Sequence, residues 1–297
     1  MNRFSVVTAS FTFLLIVMGA LVTNNGAGDS VPTWPLAFGS FVPLGRLSGG
    51  VLYEYSHRVV ASAVALLTVV LFVWLVIRER RGWVKWVGAL AIALVAAQAL
   101  LGGLRVSAGE QRGVTIAVVH ALTAQLFFGV VVSLTVFTSP GWVRAGELRS
   151  GYPRMKNPLV QYVSTVAMVV LVVQVLLGAA YRHGLTGLMP HAAWGVVVIA
   201  AVVWSSLLVI HLGHDRERSL PYIVRPARVA AWLLLIQVAL GIASYVIWSR
   251  FANTQHPPEK AIIIAVAHTA FGAALLSNQV ILMLRVYRMV PITEIQA

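Results

Sequence analysis

The sequence predicts an all-α integral membrane protein with eight transmembrane helices, arranged as two tandem four-helix bundles. Hydrophobic residues make up 59% of the 297 residues and charged residues only 10%, which is too little charge to cover a soluble domain of this size. The apolar runs are continuous rather than alternating, which favours helices over a β-barrel. Motifs of the first half recur in the second half, which indicates a duplication.

Eight apolar runs are near or above the ~20 residues that a transmembrane helix needs. They lie at 4–23, 51–77, 86–104, 115–138, 158–180, 190–211, 227–249 and 261–284. The first run lacks a strong small-residue cleavage site, so we interpret it as a retained helix and not as a signal peptide. Small residues within the runs would let neighbouring helices, or a flat cofactor, come close. Among them are Gly19, Gly102, Gly103, Gly178 and Gly241.

The distribution of positive charge predicts the orientation in the membrane. The net charge of +13 is spread over short loops, where it indicates topology and not nucleic-acid binding. With both termini in the cytoplasm, the inner segments hold 15 Lys and Arg residues and the outer segments hold 6. We therefore predict a multi-pass protein of the cell (plasma) membrane with cytoplasmic N- and C-termini. Cysteine is absent, which excludes disulfides, thiolate metal sites and cysteine nucleophiles.

The two halves of the chain share motifs in the same order. These are Gln98-Ala-Leu-Leu-Gly102 with Gln237-Val-Ala-Leu-Gly241, and Ile116-Ala-Val-Val-His120 with Ile264-Ala-Val-Ala-His268. Because each unit has an even number of helices, both copies enter the membrane in the same sense, as a parallel repeat about a pseudo-twofold axis along the membrane normal. We predict an N-terminal unit at 1–150 and a C-terminal unit at 151–297.

Half of the eight histidines lie inside predicted helices, one in each even-numbered run and at similar depth near the outer face. They are His57, His120, His191 and His268, whereas His183, His211, His214 and His256 are expected at the surface. Two imidazoles on facing helices are typical of bis-histidine haem ligation. Zinc and copper sites usually need three or four close ligands, and nothing supplies a third in the C-terminal half. We predict one haem iron for His57 with His120, and one for His191 with His268.

Glu54 is the only acidic residue inside an apolar run, where a carboxylate is costly. It precedes His57 by three residues and shares its helix face, whereas the C-terminal counterpart is Leu188. One interpretation is an interfacial cluster with Arg58 that reaches water. The other is an acid that protonates bound oxygen or stabilises a cationic intermediate at a haem edge. We predict that Glu54 is catalytic, with chemistry in the N-terminal unit and electron delivery in the C-terminal unit.

Other polar features leave alternatives open. The longest outer loop, 24–50, is rich in Gly, Pro and Trp, and both a lid over the N-terminal site and a plain interfacial loop fit this composition. For Gln98 and Gln237, helix–helix hydrogen bonding is favoured over support of the histidines. The sequence does not decide which of the arginines on the outer side would meet the haem propionates. The candidates are Arg46, Arg58, Arg105, Arg112, Arg182 and Arg250.

Beyond the histidines, the chain resembles the haem A synthase family over nearly its whole length. The matching features are Gly19-Ala-Leu-Val-Thr23, Gly26-Ala-Gly28, Trp34-Pro-Leu, Gly39, Glu54-x-x-His57-Arg58 and His120. The resemblance implies conversion of haem O to haem A, by oxidation of a ring methyl group through an alcohol to a formyl group, for terminal oxidase assembly. The alternative is a di-haem b electron-transfer membrane cytochrome, which explains the histidines but not Glu54.

The same resemblance implies a role for each histidine pair. His57 and His120 would face haem O or haem A as substrate and product, and the C-terminal pair would ligate a haem b cofactor. Implied partners are haem O synthase, an electron donor and the oxidase assembly machinery, and a homo-oligomer is compatible with the sequence. Many bacterial members carry a cysteine pair in the first outer loop, at the place of Ala37 and near Val31, and this chain has neither cysteine.

Overall fold

A computed structural model describes residues 1–108, 110–148, 158–214, 221–251 and 258–289. Within these ranges the chain forms the following helices: α1 Asn2–Asn24, α2 Gly49–Arg78, α3 Gly82–Ser107, α4 Glu110–Phe137, α5 Pro140–Leu148, α6 Pro158–Arg182, α7 Leu188–His214, α8 Pro221–Arg250 and α9 Glu259–Met289. All except α5 are long and apolar enough to cross a membrane. The predicted all-α membrane fold with eight spans is therefore confirmed for the described part of the chain.

The helices extend beyond the predicted apolar runs because a membrane helix continues past the hydrocarbon core into the polar interface. The largest difference at the beginning of a helix is in α8, which begins at Pro221 and not at the predicted residue 227. The short helix α5 was not predicted, since nine residues cannot span a bilayer. It is anchored by Trp142, whose ring centroid lies 5.0 Å from that of Phe137 and whose carbonyl accepts a hydrogen bond from Arg288.

The helices pack in the same way in each half of the chain. In the first half, α1 contacts α2 and α4, while α3 contacts α2 and α4. In the second half, α6 contacts α7 and α9, while α8 contacts α7 and α9. This is the packing that two tandem four-helix units require. The predicted unit boundary at 150–151 lies outside the described residues, as does His256, and the units themselves stay a prediction.

Among the membrane-spanning helices, three pairs form the main contacts between the two halves: α1 with α9, α4 with α6, and α4 with α9. The short helix α5 also contacts α9. Exchanging α1 with α6 and α4 with α9 leaves the set of three pairs unchanged, as expected for a pseudo-twofold axis. Phe128, Val132 and Ala273 form a buried cluster there, and the ring centroids of Phe13 and Phe128 are 6.0 Å apart. The halves are thus joined by an apolar seam of α1, α4, α6 and α9.

Arg285 compensates for a proline inside α8. Pro226 has no backbone N–H, so the Tyr222 carbonyl, four residues earlier, loses its helical donor. Arg285 Nη1 donates to that carbonyl at 3.1 Å. Asn278 donates to the carbonyl of Pro226 itself at 2.9 Å. Two side chains of α9 therefore hold the first turns of α8 against the bundle.

Replacing Arg285 by methionine removes this donor and leaves the Tyr222 carbonyl unsatisfied, which costs about 1–3 kcal/mol. The midpoint of thermal unfolding in detergent should fall. Adding Pro226→Ala supplies a backbone N–H for the same carbonyl and should recover much of the loss. If the double variant is less stable than Arg285→Met alone, the compensation by Arg285 is wrong.

Candidate functional site

Each of the four predicted ligand histidines packs against a glycine of the preceding helix. We call Gly19, Gly102, Gly178 and Gly241 the seat glycines. A Cβ atom built on Gly19 would lie 3.2 Å from Cε1 of His57, and one on Gly102 would lie 3.8 Å from Cε1 of His120. In the second half, a Cβ on Gly178 would lie 2.9 Å from Cε1 of His191, and one on Gly241 would lie 3.0 Å from Cε1 of His268. Cβ contacts below 3.0 Å are essentially never seen. The glycines expected to admit a flat cofactor thus lie against the imidazoles. A Cβ would be crowded by the ring at Gly19, Gly178 and Gly241, whereas at Gly102 it would make an ordinary van der Waals contact.

The two histidines of each predicted pair are neighbours. The ring centroids of His191 and His268 are 6.4 Å apart, with the ring planes at 87°. Two imidazoles on opposite sides of one metal ion, each with a metal–nitrogen distance of ~2 Å, place their centroids roughly 6 Å apart. His57 and His120 lie close enough to interact electrostatically. The C-terminal pair therefore has the ring spacing that two ligands of one haem iron would need, and the N-terminal pair is close enough to be its counterpart.

The described residues contain no group of three or more His, Cys, Asp or Glu side chains that could hold a metal ion. Zinc and copper sites usually use three or four such ligands, so the donor set does not fit them. A haem supplies four nitrogen ligands of its own and needs only two from the protein. The two imidazole pairs, each partly buried and packed against seat glycines, would fit one haem apiece.

A glutamine stands four residues before three of the four seat glycines, and each contacts a histidine. Gln98 Nε2 donates to the carbonyl of His120, and Gln174 Nε2 donates to that of His191, both at 3.1 Å. The sequence interpretation of Gln98 as a helix–helix hydrogen bond was right, but its partner is the histidine residue itself. Gln174 was missed, although its four-residue spacing from Gly178 is the same signal.

A backbone carbonyl of the preceding helix lies near the ring of three of the four histidines, His57, His191 and His268. His268 Nδ1 lies 3.2 Å from the Gln237 carbonyl, and the Gln237 side-chain nitrogen lies 3.4 Å from Nε2. A buried Nδ1 without a well-formed hydrogen bond is common to the other three histidines, His57, His120 and His191. For His57, the Leu15 carbonyl is nearby. Metal-bound histidines usually direct their second nitrogen to such a carbonyl, which leaves Nε2 for the metal.

Glu54 ties the long loop to α2. Its Oε2 accepts a hydrogen bond from the Val31 N–H at 2.8 Å, and its Oε1 accepts one from Arg58 Nη2 at 2.6 Å. Arg58 also donates to the carbonyls of Thr33 and Val31, at 2.6 Å and 3.0 Å. Glu54 is only 5% exposed, so the carboxylate does not reach water. The cluster is a buried clamp between α2 and the loop, one turn from His57.

The loop 25–48 folds over the ends of α2 and α3, and we call this side of the membrane the loop face. The Trp34 ring packs on Gly103, where a Cβ would lie 2.8 Å from Cδ2. Val31 is fully buried and Ala37 is 4% exposed. These are the positions at which the family resemblance places a cysteine pair. In this chain the loop is held by the Glu54 clamp and by Trp34 instead.

His183 lies just after the end of α6, where the sequence indicated a surface or interfacial residue. It is only partly exposed. Burial, together with the charges of Arg105 and Arg182 and the nearby His120, lowers the pKa of His183 to about 4. The imidazole is therefore neutral at pH 7. Since its pKa depends on residues of both halves, His183 lies where the N-terminal site meets the C-terminal unit.

Comparison with known proteins places this geometry in a family. The COX15-CtaA family, described as cytochrome oxidase assembly protein, matches residues 2–190. The chain belongs to this family. The matched segment contains Glu54, His57 and His120 and ends one residue before His191, so the family match covers the N-terminal site and not the C-terminal pair.

Individual members of the family carry the name haem A synthase. The protein from Shouchella clausii is 33% identical over 137 residues, which is 46% of this chain and 44% of that protein. The protein from Alkalihalophilus pseudofirmus is 30% identical over 136 residues, 45% of this chain and 44% of its own length. The matched segments thus span less than half of these two relatives. The protein from Staphylococcus saprophyticus is 28% identical over 301 residues, 91% of each chain.

The clamp makes Arg58 a determinant of loop stability. Arg58→Gln leaves Glu54 buried without its counter-charge, so the loop should open more often, by about tenfold for each 1.4 kcal/mol lost. Phe41 and Leu44 in the loop are 85% and 83% exposed, so chymotrypsin can report the opening. Arg46→Gln is the matched control, because among the described residues the Arg46 side chain packs on the Phe38 ring, 4.8 Å away, and takes no part in the clamp. Equal cleavage rates in the two variants would show that the clamp does not hold the loop.

Proposed function

We propose that this chain is a haem A synthase, which oxidises a methyl group of haem O through an alcohol to the formyl group of haem A. The observation that carries the proposal is the combination of two seated histidine pairs with a single buried carboxylate beside one of them. Membership of a cytochrome oxidase assembly family, and one relative named haem A synthase that aligns over 91% of the chain, support the same reaction.

The two units would divide the work. His57 and His120 would hold the iron of the substrate haem, and His191 and His268 would hold a haem b cofactor. A bound haem iron supplies the redox chemistry that acts on the methyl group. The chain's own contribution is to fix both imidazoles against the seat glycines, so that each ring keeps one orientation. The seam of α1, α4, α6 and α9 would carry electrons from the C-terminal unit to the N-terminal site. There each hydroxylation of the methyl group would consume molecular oxygen and two electrons and release water.

Glu54 would act as the proton-handling group of the N-terminal site. It lies one helical turn from His57 on the same face, and its two oxygens are hydrogen-bonded to Val31 and Arg58. Protonation would remove the negative charge that Arg58 pairs with and would weaken the hydrogen bond from Val31, so proton transfer and loop position would be coupled at this residue. The loop excludes water from the carboxylate, which strengthens its electrostatic interactions.

The alternative function, a di-haem b electron-transfer membrane cytochrome, uses all four histidines but gives Glu54 no chemical role. It also does not explain why the loop 25–48 covers one of the two sites and not the other. The name of the relatives does not favour it. A substrate that must enter, react and leave accounts for the difference between the units better than two equivalent electron carriers do.

The proposed setting follows from the same argument. A multi-pass protein of a cytochrome oxidase assembly family would receive its substrate from haem O synthase and its electrons from a donor protein or quinol. It would pass its product to the terminal oxidase assembly machinery. The excess of Lys and Arg, 15 against 6, supports a plasma membrane topology with both termini in the cytoplasm.

Expression with a source of haem O, followed by pigment extraction, tests the reaction. Haem A or its alcohol precursor should accumulate, and recovery of unmodified haem alone would contradict the proposal. Glu54→Gln should retain bound haem while product formation falls by about 10²-fold or more, because a positioned acid or base contributes that much.

Glu79→Gln is the matched control for Glu54→Gln. It makes the same change at the residue that follows α2, at a carboxylate paired with Arg81 at the opposite face of the membrane. It should leave product formation unchanged. Arg58→Gln separates chemistry from loop opening: if it lowers product as much as Glu54→Gln does, the glutamate acts through the loop and not as a catalytic acid.

A further inference from the structure

Arg105 stands beside the N-terminal site without a partner of its own. It lies near the end of α3, three residues after the seat glycine Gly102, and so on the same helix face. It lies close enough to interact electrostatically with both His57 and His120. The loop covers it from the other side, because a Cβ on Gly28 would collide with its guanidinium.

Within the described part of the chain, the Arg105 guanidinium forms no ion pair and donates no side-chain hydrogen bond. Glu54, the nearby buried carboxylate, is already paired with Arg58. Asp29 follows Gly28 in the loop, but it is exposed and is not within ion-pair distance of Arg105. A guanidinium carries five N–H donors, and a partly buried one is stable only when an acceptor reaches it. The position therefore calls for an anionic oxygen ligand.

A haem held by His57 and His120 brings such a ligand, because two propionate carboxylates project from one edge of the macrocycle. A planar guanidinium binds a carboxylate through two parallel hydrogen bonds. Arg105 lies towards the loop face relative to Gly102, on the side where the polar edge of a haem can remain near water. We propose that Arg105 binds a propionate of the haem in the N-terminal site. This inference rests on the proposed function, since it requires a haem at that pair.

The repeat shows that this anchor belongs to one site only. The matching motifs place Gly102 opposite Gly241, so the counterpart of Arg105 in α8 is Ser244. The C-terminal unit thus lacks a cation at this position, as it lacks a carboxylate at Leu188. Both charged groups of the N-terminal site lie under the same loop. A propionate fixed by Arg105 sets the rotation of the macrocycle about the iron, and therefore which ring edge meets Glu54.

Binding of iron protoporphyrin IX and of its dimethyl ester to the full chain tests the assignment. Bound haem is measured by absorption spectroscopy, and the amount bound by the His57→Ala variant is subtracted, so that the difference reports the N-terminal site. The native chain should prefer the free acid by about tenfold or more, the range of a charge-assisted hydrogen bond. Arg105→Gln should lose this preference. Arg105→Lys should keep part of it, because lysine retains the charge but cannot form the two parallel hydrogen bonds of a guanidinium. Arg46→Gln should bind like the native chain.

The outcomes separate this inference from the proposed function. If Arg105→Gln weakens both ligands equally, Arg105 supports the loop and binds no propionate. If haem binding depends on His57 but the native chain binds iron protoporphyrin IX and its dimethyl ester equally well, only the Arg105 assignment fails. If no haem binding depends on His57, the proposed substrate site fails with it. The preference must persist in nanodiscs of zwitterionic lipid; its appearance only with anionic lipid would make the ligand a lipid phosphate.

Discussion

The contact between an imidazole and a glycine of the preceding helix is the constraint on which the rest of the structure depends. An imidazole inside a membrane is costly unless its nitrogens find partners, and a helix surface normally presents side chains, not backbone. A glycine at the contact removes the Cβ and lets the ring reach the carbonyl four residues earlier, as His268 reaches Gln237. Used four times, this contact fixes the depth of all four histidines and so the plane of each site.

The duplication makes the two sites alike, and the differences between the units show what the N-terminal site adds. Where the C-terminal unit has Leu188 and Ser244, the N-terminal unit has Glu54 and Arg105. Both added charges contact the loop 25–48, which has no counterpart in the short connection between α6 and α7. A carboxylate, a cation and a cover over one histidine pair suit a ligand that is bound, altered and released, whereas the plain pair suits a permanent cofactor.

Sequence reasoning reached the spans, the repeat and the four histidines because these depend on hydrophobicity, spacing and depth, which are properties of the sequence alone. It missed α5, whose nine residues carry no membrane-spanning signal, and Gln174, whose spacing from Gly178 was visible but unused. It could not choose among the outer arginines or find the charged residues that surround His183. Those answers depend on which loop residues fold back onto which helix ends, and hydrophobic periodicity does not encode such contacts.

Substitution of one seat glycine tests the account most directly. Gly241→Ala puts a methyl group 3.0 Å from Cε1 of His268, so the low-spin bis-histidine signal of the C-terminal haem should be lost in electron paramagnetic resonance while that of the N-terminal site persists. Gly113→Ala, in a helix with open space around it, should leave both signals intact, and alanine favours a helix by about 1 kcal/mol. Two unchanged signals in Gly241→Ala would contradict the claim that the seat glycine positions an iron ligand.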